Sequence, residues 1–345
     1  MKLILHIGTH KTGTTTIQRA FASNRSSLLE IGVWYPNYHE VLGGGKTNYA
    51  HLDIAKALMD EKSALSKGEA IQFLQQLYAS AVKLNNVNTV VISAETLLRG
   101  KLGSDKKKWA KIQNFQKKLK EHLIGFTDIE VTVTFRNHSS YLESLYNEHI
   151  KATTYSKSIQ DFYEDYKERF NYRGIVSSWN TNVGPVQVIN FSDIAGENIV
   201  EKWAEQVINK NFSGIFNKVN SEQNVSWPLE LVELKRIINL KNDKALAKKF
   251  RTIITEFSKT ELCASIFEKK QTWLSGEYRK KIIATYKTDI EWLCDNYSKS
   301  CLSLLNVPVT ESEVFSGLKD KHLATLIKYL INPESELAMN AKVKE

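Results

Sequence analysis

The feature that most constrains this chain is its opening stretch, Met1 to Gln18, MKLILHIGTHKTGTTTIQ. Leu3, Ile4, Leu5 and Ile7 form a short apolar run of the kind that makes a buried strand. The run breaks at Gly8-Thr9-His10-Lys11-Thr12-Gly13, and Thr14-Thr15-Thr16-Ile17-Gln18 then opens a helix. A strand that turns through a glycine-bounded loop into a helix N-terminus aims successive backbone N–H groups and the positive end of the helix dipole at one point. That is an anion cradle. The spacing from Gly8 to Gly13 is the GxxxxG of a phosphate-binding P-loop, yet Thr14-Thr15 follow the second glycine and the lysine sits earlier, at Lys11. A triphosphate loop needs its lysine on the β- and γ-phosphates and a hydroxyl on Mg²⁺. The string K-T-G-T-T instead gathers one cation and several hydroxyl and amide donors around a single anionic group, with no evident metal ligand.

A second segment has the same character. Ile129-Glu130-Val131-Thr132-Val133-Thr134-Phe135 carries a strand pattern and ends at Arg136, and the stretch Tyr141 to Lys151 is helical in pattern. A guanidinium gives forked donors to phosphate oxygens, and a hydroxyl on the following helix, Ser144, adds one more. Taken together, these residues resemble the sulfotransferases that use 3′-phosphoadenosine 5′-phosphosulfate (PAPS). The N-terminal string is most similar to bacterial members beginning H-I-G-x-x-K-T-G-T-T-x-I-Q, and Ser144-Leu145-Tyr146-Asn147 is similar to the family's S-x-Y-N.

The resemblance implies a set of roles. Lys11, Thr12, Gly13, Thr14, Thr15 and Thr16, with His10 at the border, would hold the phosphosulfate, and Lys11 would also neutralise the leaving oxygen. Arg136 and Ser144 would hold the 3′-phosphate, and Asn224 and Ser226, before Trp227-Pro228, resemble a late N-x-S near the nucleotide. Val90-Val91-Ile92-Ser93-Ala94-Glu95 resembles the family's I-S-x-E, and Tyr49 to Ala55, containing His51, its H-x-x-L-A helix start. The base that takes the acceptor proton is therefore Glu95 or His51: a histidine titrates nearer neutral pH, while a glutamate at a strand end points into the ligand crevice. The implied reaction moves a sulfuryl group from PAPS to a hydroxyl, or an amine, of a carbohydrate, glycolipid or small-molecule acceptor and releases PAP without a metal. Two alternatives remain open: a P-loop small-molecule or nucleotide kinase, and a degenerate nucleotide- or glycan-binding module.

The order of the remaining elements predicts the fold class. Strands at 3–7, 89–93, 129–135 and 186–190 alternate with helices at 13–30, 51–60, 68–84, 105–123, 139–151 and 197–209. This predicts an α/β three-layer parallel sheet of the P-loop type, flanked by helices, with ligands at the carboxyl ends of the strands. From Pro228 onward the pattern is mostly helical, with Ile237, Ile238, Phe250, Ile253, Phe257, Trp273, Tyr278, Ile282, Tyr286, Trp292 and Leu293 as core candidates. The expected organisation is a PAPS-binding domain over 1–240, a helical extension over 241–333 and a frayed tail over 334–345. His6 is expected as a hydrogen-bonded core residue.

Composition excludes several classes. With 42% hydrophobic and 25% charged residues the chain has ordinary globular usage, and it contains no run approaching the ~18 apolar residues of a membrane span. Three cysteines, Cys263, Cys294 and Cys301, have no metal-like spacing, and the start MKLILHIG lacks the pattern of a secretory signal, so a cytoplasmic setting is expected. The net charge of +9 favours anionic partners without the focus that nucleic acid requires. Its densest basic stretch, Ser104 to Lys120, reads as an amphipathic helix with a solvated lysine face, peripheral membrane or glycan contact being the lesser alternative.

Overall fold

Five runs of β-prone residues build one sheet: β1 (Lys2–His6), β2 (Val33–Trp34), β3 (Thr89–Ser93), β4 (Asp128–Phe135) and β5 (Val186–Asn190). All pair in parallel, in the order β2-β3-β1-β4-β5. The computed structural model describes residues 1–44, 47–98, 106–216, 227–267, 271–307, 313–320, 323–324 and 329, with only the backbone of 106–109. β1 is central, and its Leu3, Ile4 and Leu5 are wholly buried, as a strand paired on both edges and covered on both faces must be.

Helices fill the connections. In chain order they are α1 (Thr14–Ser23), α2 (Arg25–Glu30), α3 (Tyr38–Leu42), α4 (Leu52–Leu58), α5 (Lys67–Val82), α6 (Lys106–His122), α7 (His138–Ala152), α8 (Ile159–Asp165), α9 (Tyr172–Asn182), α10 (Phe191–Ile194) and α11 (Ile199–Ile208). They are followed by α12 (Leu229–Asn239), α13 (Lys244–Phe257), α14 (Glu261–Ile266), α15 (Gly276–Thr285) and α16 (Lys287–Asn296). Ile4, Val91 and Ile189 of the sheet join Ile17 and Phe21 of α1 and Trp203 of α11 in one core cluster, while α9 packs against β4 and β5.

The expected single helix over 13–30 is two helices. The Asn24 amide donates to the Ala20 carbonyl at 2.7 Å and ends α1 there, a local competition typical of asparagine. Between it and the helix expected at 51–60 lie β2 and α3, the latter started by a capping box between Asn37 and Glu40.

One compact unit comprises Met1–His138, Glu164–Ser221 and Ile282–Asn306, and the second comprises Ser139–Tyr163, Glu222–Lys281 and Val307–Glu345. The expected tail over 334–345 lies outside the described residues. The second unit also contains a parallel pair, β6 (Gln271–Thr272) with β7 (Glu313–Val314), within the region expected to be mostly helical.

On α12 the inward face differs from the expected one. Leu231, Val232, Lys235 and Asn239 are buried, whereas Ile237 is 42% exposed. Lys235 Nζ donates to the carbonyls of Ile150 (3.4 Å) and Thr153 (3.2 Å) and to Asn239, so a cation and an amide occupy core positions because they satisfy the carbonyls where α7 ends. Of the other core candidates, Phe257, Ile282, Tyr286 and Leu293 are buried.

β2 spans only two residues, so the outer edge of β3 has no strand partner at Ser93. His51 takes that place. Its backbone N–H donates to the Ser93 carbonyl (2.9 Å), its Nδ1 accepts from the Ser93 N–H (3.1 Å), and its Nε2 bonds the Pro36 carbonyl (2.8 Å). Accepting at Nδ1 and donating at Nε2 is the pattern of a neutral imidazole. Burial holds His51 at a pKa of about 3, and does the same to His6 and His138.

These three histidines make the fold acid-sensitive. Each folded pKa lies below the ordinary 6.5, so the stability each confers is present above 6.5 and is lost as the pH falls from there toward about 3. Each should cost about 1.4 kcal/mol per pH unit within that window. Urea unfolding at pH 7 and pH 5 is expected to show a large loss of stability at pH 5, and His138→Gln should reduce that loss. Equal stability at the two pH values would contradict it.

Candidate active site

The loop between β1 and α1 departs from extended geometry at three points. Gly8 has φ 33°, Lys11 has φ 65°, and Gly13, the residue capping α1, has φ 81°. Two are glycines for steric reasons. A Cβ on Gly8 would meet the Thr14 methyl and lie 3.1 Å from His6 Nε2, and one on Gly13 would run into the Ile199 side chain that begins α11. Lys11 has no such freedom, and a left-handed backbone costs a non-glycine residue roughly 1–2 kcal/mol. Strain of this size persists where the surroundings enforce it, and it collects at functional positions.

The surroundings are specific. Thr9 Oγ1 donates to the Thr134 carbonyl of β4 (2.7 Å) and Thr12 Oγ1 donates to the Thr9 carbonyl (2.6 Å), with both threonines fully buried. The Thr12 hydroxyl, expected on the ligand, is therefore committed to the loop itself, and only its backbone N–H is left for a bound anion. Thr14 is buried, while Thr15 and Thr16 are half-buried. No side chain caps α1, and its first turn carries no acidic residue, so the amides of Thr14, Thr15 and Thr16 form a positive helix end.

Arg136 is brought to this loop across 125 residues of sequence. Its Nη1 lies 3.5 Å from the Lys11 carbonyl, and its guanidinium sits over the Phe191 ring, 5.3 Å from the centroid. Its own carbonyl accepts from the Tyr172 hydroxyl at 2.7 Å. Tyr172 in turn stacks on Phe135 at 4.0 Å and on His138 at 4.1 Å, and His138 stacks on Tyr286 at 4.2 Å. A column of four rings thus fixes the point where β4 ends. Lys11, half-buried, lies on the loop, and Arg136 reaches it from the end of β4.

Glu95 stands just beyond β3, on a short 3₁₀ turn spanning Glu95–Leu97, and is half-buried. Its Oε2 accepts from Gln18 Nε2 at 2.8 Å. Of the two candidate bases only Glu95 has a carboxylate oxygen near α1. His51 is corrected to a structural residue, since it is fully buried, its Nδ1 is engaged by the Ser93 N–H of β3 and its Nε2 by the Pro36 carbonyl. His6 is the core residue expected, bonded through Nδ1 to Ser93 Oγ (2.8 Å) and packed on Trp203.

The other candidates lie elsewhere. His10 is half-buried at the loop. Ser144 is half-buried on α7 within the second unit, next to Glu143, which accepts from the Trp273 N–H (2.8 Å) and pairs with Arg279 (2.5 Å). Asn224 and Ser226 lie outside the described residues. A groove of about 710 Å³ between α4, α5 and α6 is walled by Met59, Ile71, Leu97, Ile112 and Phe115 among others, and neither the loop nor Glu95 lines it. Among the described residues no three of His, Cys, Asp or Glu are grouped to hold a metal, and no helix is long and apolar enough to cross a membrane.

Sequence reasoning did not single out Thr9, Gln18, Tyr172 or Phe191. Gln18 alone left a signal, as the last residue of the resembling string, but its partner at Glu95 is 77 residues away. No protein-family model matches the chain and no curated protein does. Among solved structures it is similar to a sulfotransferase from Alicyclobacillus acidocaldarius, at 12% identity and a TM-score of 0.38, covering 72% of this chain and 99% of that one.

The loop geometry carries its own test. Gly13→Ala adds a methyl against Ile199 at a left-handed position, so stability should fall by about 1–3 kcal/mol. Binding of inorganic sulfate or phosphate should weaken further than the loss of stability explains. Denaturant midpoints and anion titration check both, and a variant as stable as the parent would show that the loop tolerates another conformation.

Proposed function

We propose that this protein is a PAPS-dependent sulfotransferase. The observation that carries the reading is the strained, cationic loop: Lys11 in a left-handed conformation, its carbonyl beside the Arg136 guanidinium, at the uncapped positive end of α1. The donor's 5′-phosphosulfate would lie on the amides of Thr12 to Thr16, with Lys11 toward the bridging oxygen, Arg136 toward the 3′-phosphate, and Ser144, Asn224 and Ser226 as further donor ligands by resemblance. The acceptor is a hydroxyl of a carbohydrate, glycolipid or small molecule.

The acceptor oxygen attacks sulfur in line while the bond from sulfur to the bridging oxygen breaks, so PAP leaves with that electron pair. Glu95 takes the acceptor proton. Negative charge grows on the bridging oxygen during this step, and a cation already fixed beside it stabilises the transition state more than the bound donor. No step in this scheme calls on a metal. The earlier position of Lys11 supports it over a kinase, whose lysine must follow the second glycine to reach a γ-phosphate.

Two outcomes follow. Arg136→Ala should weaken PAP by roughly ten- to a hundredfold, the loss of one charge-assisted contact, and leave 5′-AMP nearly unchanged. Calorimetry on both ligands checks this; equal affinity for ATP and PAP, or a requirement for Mg²⁺, would favour the kinase. Lys11→Ala should lose turnover far more than PAP affinity, because its contact strengthens as the leaving oxygen charges. Normal kcat with a raised donor KM would reduce Lys11 to a binding residue.

A further inference from the structure

The second turn of α1 turns the buried side chain of Gln18, 1% exposed, toward the end of β3. Its amide nitrogen donates twice, to Glu95 Oε2 at 2.8 Å and to Ser93 Oγ at 3.2 Å. Ser93 Oγ is bonded in turn to His6 Nδ1 at 2.8 Å, and the Ser93 backbone is held by His51. The Glu95 carboxylate can only accept, so the nitrogen and not the oxygen of the Gln18 amide faces it. This fixes the sense of the amide: both of its protons are used, one of them on the carboxylate. Among the described residues Gln18 Oε1 is buried without a partner. The side chain thus directs its nitrogen to Glu95 at the expense of its oxygen, and a buried carbonyl left unmatched costs about 1–3 kcal/mol.

From this geometry we infer that Gln18 is the positioning residue for the base: it holds the Glu95 carboxylate in one rotamer and leaves its other oxygen to meet the acceptor hydroxyl. The inference rests on the reading of Glu95 as the base. It also gives α1 a double task. The first turn carries the amides proposed for the donor, and the next turn sets the carboxylate proposed for the acceptor, so one rigid helix fixes the distance between the two reacting partners. A misplacement of about 1 Å in such an arrangement can cost a hundredfold in rate.

Gln18→Leu keeps the shape of the side chain and removes the donor. At saturating donor its kcat should fall by roughly tenfold or more, with PAP affinity unchanged. Added to Glu95→Gln, it should cause little further loss, because it acts through that carboxylate. Independently of turnover, the side-chain amide proton signals of Gln18 should move upfield in Glu95→Ala, which tests the contact even if Gln18→Leu does not fold. Additive losses, or amide signals that ignore Glu95→Ala, overturn the inference. So does full turnover in Gln18→Leu where Glu95→Gln has lost it, which removes this inference alone. Full turnover in Glu95→Gln removes the base assignment and the inference with it.

Discussion

β1 leaves the sheet under constraint from both sides. The Ala94 N–H donates to the His6 carbonyl (2.9 Å) on one edge, and the Ile7 N–H donates to the Thr132 carbonyl (3.0 Å) on the other. The strand is therefore held to its last residue, and the turn at Gly8 begins from a fixed point and direction. Thr9 continues the clamp with a side chain, bonding Thr134 where the backbone can no longer do so. A parallel strand buried on both faces cannot slip by one residue without reversing every side chain, so the position of the loop is as well defined as the register of the sheet. Lys11 can hold an unfavourable backbone because both ends of its loop are anchored in this way.

The opposite side of the site has the contrary problem. β3 lacks a neighbour at Ser93, and a bare strand end would leave Glu95 on a loose turn. His51 fills the gap with one backbone and one side-chain hydrogen bond to Ser93, its other ring nitrogen tied to the Pro36 carbonyl, and Gln18 and His6 fasten the Ser93 hydroxyl and the Glu95 carboxylate beneath it. The arrangement needs neutral imidazoles, which burial supplies. Rigidity at the site is therefore obtained at the expense of stability in acid, because every one of these rings would be protonated in the unfolded chain before it is in the folded one.

The sheet was legible because its strands announce themselves. β3 and β5 fall at the expected residues, and β1 and β4 lie within a residue or two, since each is an unbroken apolar or alternating run bounded by turn residues. β2, β6 and β7 have two residues each, too few for any period to show. The loop and Arg136 were legible from spacing, and tertiary packing brings the Arg136 guanidinium beside the Lys11 carbonyl. What spacing could not show is which polar groups are consumed by the fold. His51 and the Thr12 hydroxyl have the right chemistry to act on a ligand, but their partners at Pro36, Ser93 and Thr9 become neighbours only through tertiary packing. Lys235 misleads for the same reason: a lysine on a helix implies a solvent face, until unsatisfied carbonyls at the end of another helix claim it.

The stretch Ser144-Leu145-Tyr146-Asn147 holds two residues whose tasks in the fold are plain. Tyr146 is buried and donates its hydroxyl to the Lys157 carbonyl (3.0 Å), and Asn147 accepts from the Trp273 indole N–H (2.6 Å). One residue before the motif, Glu143 takes the N–H groups of Trp273 and Leu274, the Thr272 hydroxyl and the Arg279 guanidinium. These contacts fix the rotation of α7 about its axis within its unit, because successive residues are spread around a helix and anchoring two of its faces leaves no freedom to roll. The direction in which Ser144 points is thereby set by neighbours with structural tasks. A hydroxyl can serve a phosphate only if its helix cannot turn it away, and in the donor-binding role proposed for Ser144 the tyrosine and asparagine would be the means of aiming it.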